Sequence, residues 1–302
     1  MSLRVAFNAT PLLSPLTGVG QYIVNLGIAL AATCDVDLYS FYGYRWRHEA
    51  PAPPPDDWRH RGARRLRDAI KPFIPLKRPL RLLQQQVQFA RGIRRNAIDV
   101  YHEPNYIPLR CEAPVVITVH DLSWLHYPQM HPADRVRWLN RSLPAALERA
   151  AAILVDSEYV RGEIRHTFAV DDARIHTAHL GVSSDFCPRD ANDTRAVLDP
   201  LELGHGRYVL TVGTIEPRKN LQHVLAAYAQ LSAPVRERYP LVIAGAKGWR
   251  SEHLERELRA LIDRGTVRFL GHDDSNTNRT RRLLPLRDNV GDRGIVGVDR
   301  FN

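Results

Sequence analysis

Apolar residues fall along this chain in short unbroken runs, separated by stretches in which they recur every three or four positions. The first run covers residues 3–7 and ends in a loop over 8–17, after which 21–32 carries Ile23, Leu26 and Leu30 at helical spacing. That predicts strand, loop, helix. Residues 36–41 read as a second strand, Tyr101 marks the end of a third, and 115–119 and 153–155 supply two more. Continuous apolar runs of this length suit a parallel sheet covered on both faces. Helical composition over 139–152 and 158–168 completes the alternation of a doubly wound α/β domain.

Pro188, Pro200 and Gly204, set among aspartates without a sustained period, mark a linker over 187–205. Alternation then restarts: strand 208–212, helix 221–231, strand 241–244, helix 252–261 and strand 267–270. Leu221, Val224, Leu225 and Tyr228 share one helical face, and Asn220 stands where an N-cap belongs. From residue 275 onward the pattern fails, and arginines lie among polar residues and glycines. The expected organisation is a Rossmann-like domain over 1–186, a linker over 187–205, a partial second one over 206–274, and an unpatterned tail over 275–302.

Composition narrows the class. With 302 residues, 44% hydrophobic and 25% charged, the chain matches a soluble globular protein of two domains. The net charge of +9 points to an acidic partner: nucleic acid, an anionic membrane or a phosphate-bearing substrate. Nucleic acid is disfavoured, because no recognition module accompanies the arginines. Over 45–95, Trp46, Trp58, Leu66, Ile70, Phe73 and Ile74 are interspersed with arginines, which predicts peripheral membrane association. Cys34, Cys111 and Cys187 form no C-x-x-C pair, and no run approaches the roughly 18 apolar residues of a spanning helix. The expected location is cytoplasmic.

Three segments carry candidate chemistry. Thr17-Gly18-Val19-Gly20 lies between a strand and a helix, where glycine lets backbone approach a ligand and the helix start favours an anion. Ile23 stands where the dinucleotide fingerprint requires its third glycine, which disfavours a dehydrogenase. His120, in Val119-His120-Asp121-Leu122, ends a buried strand at the edge where ligands bind in such folds; His102 is a weaker candidate on the same ground. In Val212-Gly213-Thr214-Ile215-Glu216-Pro217-Arg218-Lys219-Asn220, two cations precede a helix, a chemically plausible diphosphate cradle. Asp35-Val36-Asp37 matches a D-x-D metal motif but borders an early strand, and no spaced His and Cys set suggests zinc.

Together these segments resemble glycosyltransferase family 4. The match runs from Val5-Ala6-Phe7-Asn8 and the glycine loop through His102-Glu103-Pro104-Asn105, Val119-His120-Asp121-Leu122, Val155-Asp156-Ser157-Glu158 and Leu180-Gly181-Val182. It continues through the 212–220 segment to Ile243-Ala244-Gly245. The resemblance implies a GT-B fold of two Rossmann-like domains, the second incomplete here. It also implies retaining transfer of a hexosyl unit from a nucleotide diphosphate sugar to a saccharide or lipid-linked acceptor, with no metal or cofactor. By the same resemblance Gly18 and Gly20 lie near the donor phosphate and His120 contacts the transferring sugar. Arg218 and Lys219 hold the diphosphate, beside Gly213 and Thr214. Many relatives carry arginine where this chain has Thr214, so Arg218 is the expected substitute.

The Glu-Pro-Arg-Lys-Asn segment is similar to members that transfer mannose or related sugars onto lipid-linked polysaccharide precursors. Family members also carry, beyond this point, two glutamates with seven residues between them. The tail after Asp274 contains no glutamate, so little or no transfer is expected of the chain as given. The alternative is a non-catalytic remnant that binds a sugar nucleotide or a partner protein.

Overall fold

The computed structural model describes residues 2–14, 16–33, 35–53, 77–184, 186–245, 248, 252–263, 265 and 267–271. They divide into two compact units, Met1–Leu122 with Arg137–Leu180, and Ser123–Val136 with Gly181–Asn302. In chain order come β1 (Leu3–Asn8), α1 (Gly18–Ala31), β2 (Val36–Phe41), β3 (Trp46–Arg47), α2 (Lys77–Arg95), β4 (Val100–Glu103) and β5 (Val115–Val119). The short helix α3 (Ser123–His126) leads to α4 (Ala133–Arg149), β6 (Ala152–Val155), α5 (Glu158–Phe168) and β7 (Ile175–Thr177). Then follow α6 (Ala191–Leu198), β8 (Val209–Val212), α7 (Leu221–Ala229), α8 (Ala233–Arg238), β9 (Leu241–Ala244), α9 (Glu252–Asp263) and β10 (Val267–Gly271).

The first sheet has the strand order β3-β2-β1-β4-β5-β6-β7, parallel throughout except where β3 turns back on β2. β5 and β6 are apolar on both faces, as strands buried on both sides are, which is why they read as unbroken runs, whereas central β4 buries His102 and Glu103. Tyr101 lies inside β4 rather than at its end, since the strand continues through His102 to Glu103. Trp46 of β3 stacks on Phe89 of α2 at 5.4 Å between ring centroids and donates its indole N–H to the Gln88 carbonyl at 3.2 Å. That ring is half-buried against α2. Trp58, Leu66, Ile70, Phe73 and Ile74, named with it, lie outside the described residues.

The second unit holds a three-stranded parallel sheet ordered β10-β9-β8. Leu221, Leu225 and Tyr228 of α7 and Leu254 and Leu258 of α9 bury with Leu241 and Ile243 of β9. The stretch expected as linker contains α6, capped by the Asp190 carboxylate, which accepts from the amides of Asn192 and Asp193 at 2.8 and 2.9 Å. Leu198 and Leu203 then pack with Val242, so this segment supplies core to the second unit. A helix of 8 residues shows too few apolar repeats to stand out as periodic, although its cap is legible in hindsight.

Candidate active site

The parallel register of the first sheet decides which side chains meet at its carboxyl edge. Val119 of β5 pairs with Val155 of β6, so the next residue on each strand, His120 and Asp156, emerge side by side on the opposite face. His120 Nδ1 lies 2.8 Å from Asp156 Oδ2, and its Nε2 lies 2.9 Å from the Pro104 carbonyl. Both partners are acceptors, and the two bonds are made together only by a ring carrying both protons. Tyr22 of α1 stands edge-on to this ring at 5.0 Å, and Tyr106 does so at 6.3 Å. The side chains of His120 and Asp156 keep 14% and 15% of their surface exposed. The ring is therefore tightly held at the rim of the sheet, within reach of solvent but with its nitrogens committed.

His102, one strand over, is different. It is buried, with Nε2 2.8 Å from Thr118 Oγ1 and its ring edge-on to Phe7 at 5.0 Å. Burial, reinforced by the neighbouring His120, lowers its pKa to about 3. It is a neutral core histidine, not a ligand-facing one as its strand-end position suggested. The Tyr22 hydroxyl completes the row, 3.0 Å from the same Thr118 oxygen, and burial raises its pKa.

Gly18 and Gly20 are the first and third residues of α1, whose N-cap Thr17 accepts from the Gly20 amide at 3.5 Å. A Cβ on Gly18 would meet nothing within 4 Å, whereas one on Gly20 would come within 2.9 Å of Leu16 Cδ1. Gly18 thus leaves open space at the helix start, and Gly20 serves packing against Leu16. Asp37, of the D-x-D match, lies in β2 and accepts from Ser2 Oγ at 2.5 Å. Among the described residues no three His, Cys, Asp or Glu side chains gather to hold a metal.

In the second unit the 213–220 segment leaves the carboxyl end of β8. The Gly213 amide donates to Ala244 O at 3.0 Å, and a Cβ on Gly245 would sit 1.8 Å from the Gly213 carbonyl oxygen. A Cβ on Gly248 would sit 2.6 Å from the Ile215 carbonyl oxygen. The two loops after β8 and β9 therefore nest backbone against backbone, a contact only glycine permits. Ile215 and Glu216 are buried beneath them. Arg218 reaches back to Glu216 with its Nη2 3.0 Å from Oε1. Burial raises the Glu216 pKa, opposed by Arg218, Lys219 and Arg135. Arg218 and Lys219 thus stand beside Thr214 on this loop, and Arg135 adds its charge near the same carboxylate.

Asn220 occupies the N-cap position of α7 but makes no side-chain cap. It adopts a left-handed conformation (φ 56°, ψ 28°), and its Oδ1 turns to His223 Nδ1. A tight helical turn over Pro217–Lys219 delivers the chain at that angle, which removes the extended geometry a capping side chain needs. Sequence reading also gave no role to Asp156, Glu216 or Arg135. The first was legible as a carboxylate one residue past a buried run, like His120; the others depend on the fold.

Two largely parallel sheets, of seven and of three strands among the described residues, with helices between the strands, are the architecture of the glycosyltransferases of the GT-B class. The chain belongs to glycosyltransferase family 4, whose family model matches residues 16–186, and the model of glycosyl transferases group 1 matches residues 199–281. The O-antigen chain mannosyltransferase B of Escherichia coli is 35% identical over 277 residues, covering 89% of this chain and 71% of that protein. Among solved structures, sucrose-phosphate synthase from Thermosynechococcus elongatus aligns with a TM-score of 0.60 at 17% identity, covering 92% of this chain and 73% of its own. HepE from Anabaena, solved with UDP and glucose, aligns with a TM-score of 0.56 at 12% identity, covering 91% and 71%.

Proposed function

We propose that the chain moves a hexosyl unit, mannose or a similar sugar, from a nucleotide diphosphate sugar to a saccharide or lipid-linked acceptor, with retention at the anomeric carbon. The observation that carries this reading is the pair of cations Arg218 and Lys219 beside buried Glu216, on a loop fixed by Gly213 and Gly245, with Arg135 of α4 acting on the same carboxylate. Charge develops on the departing diphosphate as the glycosidic bond breaks, and preorganised cations stabilise it without reorganising. Arg218 offers a fork and Lys219 a point charge for that purpose. His120, held by Asp156 and Pro104, presents its ring edge to the transferring sugar, and Gly18 leaves room for a phosphate near the start of α1. The kinship with an O-antigen mannosyltransferase supports mannose as the sugar and a growing polysaccharide as the acceptor.

Calorimetry with GDP, UDP and their mannose and glucose conjugates tests the donor site. Binding of one nucleoside diphosphate by the parent, and at least a tenfold loss (about 1.4 kcal/mol) in the Arg218→Ala/Lys219→Ala chain, is expected. Equal affinity in a folded double variant sinks the assignment.

Peripheral membrane association belongs to the same reading. No helix among the described residues is long and apolar enough to cross a membrane. On α2, however, Leu82 and Leu83 are 58% and 60% exposed next to Arg81, the mixture an interfacial helix presents. Flotation with anionic liposomes at low salt, abolished by Leu82→Glu/Leu83→Glu, is the expected result. Flotation that persists in that variant removes α2 from the interface.

A further inference from the structure

The carboxyl edge of the first sheet carries a second polar cluster, on the face away from His120. Phe7 of β1 pairs with His102 of β4, so Asn8 and Glu103 follow side by side on the opposite face. There α2 covers them, with Phe89 packed on Tyr101 at 4.6 Å between ring centroids. Glu103 is almost fully buried. Its Oε2 accepts from the Tyr101 hydroxyl at 2.6 Å and from Asn8 Nδ2 at 2.7 Å, and its Oε1 accepts from the Asn105 backbone amide at 3.1 Å. Asn8 is itself fixed, since its Oδ1 accepts from the Thr10 amide at 3.1 Å.

The Asn105 amide ties this cluster to the other face. Residues 104–106 fold over the end of β4 and are pinned at each residue. Pro104 O accepts from His120, Asn105 N donates to Glu103, and Tyr106 N donates to Thr118 O at 3.1 Å. Tyr106 adopts φ 66°, a left-handed conformation that a bulky residue holds only when its surroundings impose it. The carbonyl that orients His120 therefore owes its place to a carboxylate on the far side of the sheet.

We propose that Glu103 is a positioning residue for His120, acting through the backbone of the 104–106 loop. The inference rests on the reading of His120 as a site residue. Three donors converge on the two oxygens of Glu103, and the charge of the ionised carboxylate strengthens each of those bonds, a gain that a proton on it removes. Burial raises its pKa to about 7, with Tyr101, Asn8 and the Asn105 amide pulling the other way. Cys111 bears on Tyr101 from the following loop, while His102 and His120 lie on the opposite face. The bond from the Asn105 amide thus weakens as Glu103 takes up a proton near neutral pH, and the hold of the loop on His120 weakens with it.

Imidazole NMR of the whole chain labelled with 15N-histidine, with His120 assigned through contacts to the Tyr22 ring, tests this directly. Glu103→Gln, which keeps the shape and removes the charge behind the Asn105 bond, is expected to move the His120 Nε2 signal and to speed exchange of its proton. Tyr101→Phe, which deletes a donor in the same cavity and leaves the Asn105 tie, is expected to leave that proton in place. Unchanged His120 signals in a folded Glu103→Gln chain, or equal shifts in both variants, overturn the proposal. Should Glu103→Gln not fold, the parent decides: the Glu103 13Cδ, Asn105 amide and His120 ring signals are expected to share one midpoint between pH 6 and 8 (about 7, as burial sets it). A His120 ring that ignores that midpoint overturns it equally. The readout is independent of nucleotide, so a coupled shift in a chain that binds no donor keeps this proposal and removes the functional one.

Discussion

Acid sensitivity offers the sharpest check on the buried row at the sheet edge. His102 ordinarily titrates at 6.5, and burial lowers it to about 3 in the fold. Between those values the unfolded chain binds a proton that the folded chain refuses, so stability falls as pH falls. At about 1.4 kcal/mol per unit the full interval amounts to about 5 kcal/mol. Glu103 works in the opposite sense. Its pKa rises from 4.5 to about 7, so the folded chain holds a proton that the unfolded chain has lost, and stability falls as pH rises through that range. That effect totals about 3 kcal/mol, absent below pH 4.5 and complete above about 7. From pH 4.5 to 6.5 the two slopes oppose each other, and the curve of the parent hides both. Replacing one group exposes the other. His102→Gln keeps a polar partner for Thr118 and removes the acid penalty, while every other titrating group contributes alike to both chains. Urea unfolding followed by circular dichroism is expected to show the stability gap between parent and variant shrinking by about 3 kcal/mol as pH drops from 6.5 to 4.5. A gap that stays constant within about 0.5 kcal/mol across that window would refute a neutral, buried His102.

Three further outcomes follow from the second unit and the β3 contact. Arg218→Ala leaves buried Glu216 without its guanidinium and is expected to cost about 1–3 kcal/mol in urea unfolding, most of it recovered when Glu216→Gln is added. Gly245→Ala, whose methyl would stand 1.8 Å from the Gly213 carbonyl, should lower the melting temperature sharply. Gly18→Ala, with nothing within 4 Å, should change stability by no more than about 1 kcal/mol; equal effects in a thermal melt contradict the nested loops. Trp46→Ala should destabilise by about 2 kcal/mol, since it empties the stack on Phe89, and a neutral result in the same melt returns Trp46 to the surface.

Most of the architecture was legible because the strands that build it are buried on both faces. β2, β5 and β9 stand where the apolar runs placed them, and α5 begins behind Ser157, whose hydroxyl caps Val160. β7 escaped because Ile-His-Thr at the sheet edge offers one buried residue. α4 begins at Ala133, earlier than the period indicated, and runs through Pro144. The positions of His120 after a buried run and of Arg218 and Lys219 before a helix were readable from the sequence, and the structure places them there. The distinction between His102 and His120 was not readable, because each directly follows apolar residues, and the sequence does not show that β4 continues past His102 while β5 ends before His120. Strand register and the packing of Tyr22 against them decide which one is sealed. Glu103 was invisible for a similar reason: a lone glutamate at a strand end gives no sign that three donors from separate places will close on it.

The glycine contact between the loops after β8 and β9 bears on how such a protein diversifies. Because main chain touches main chain there, no side chain spaces the two loops apart, and the path of the 213–220 segment is set by atoms every residue possesses. Thr214, Arg218 and Lys219 hang from that path without defining it. Thr214 and Lys219 can therefore be exchanged for other sizes and charges without moving the scaffold, whereas Arg218 is tied to buried Glu216. The freedom has one fixed cost: Gly245 and Gly248 are closed to every other amino acid.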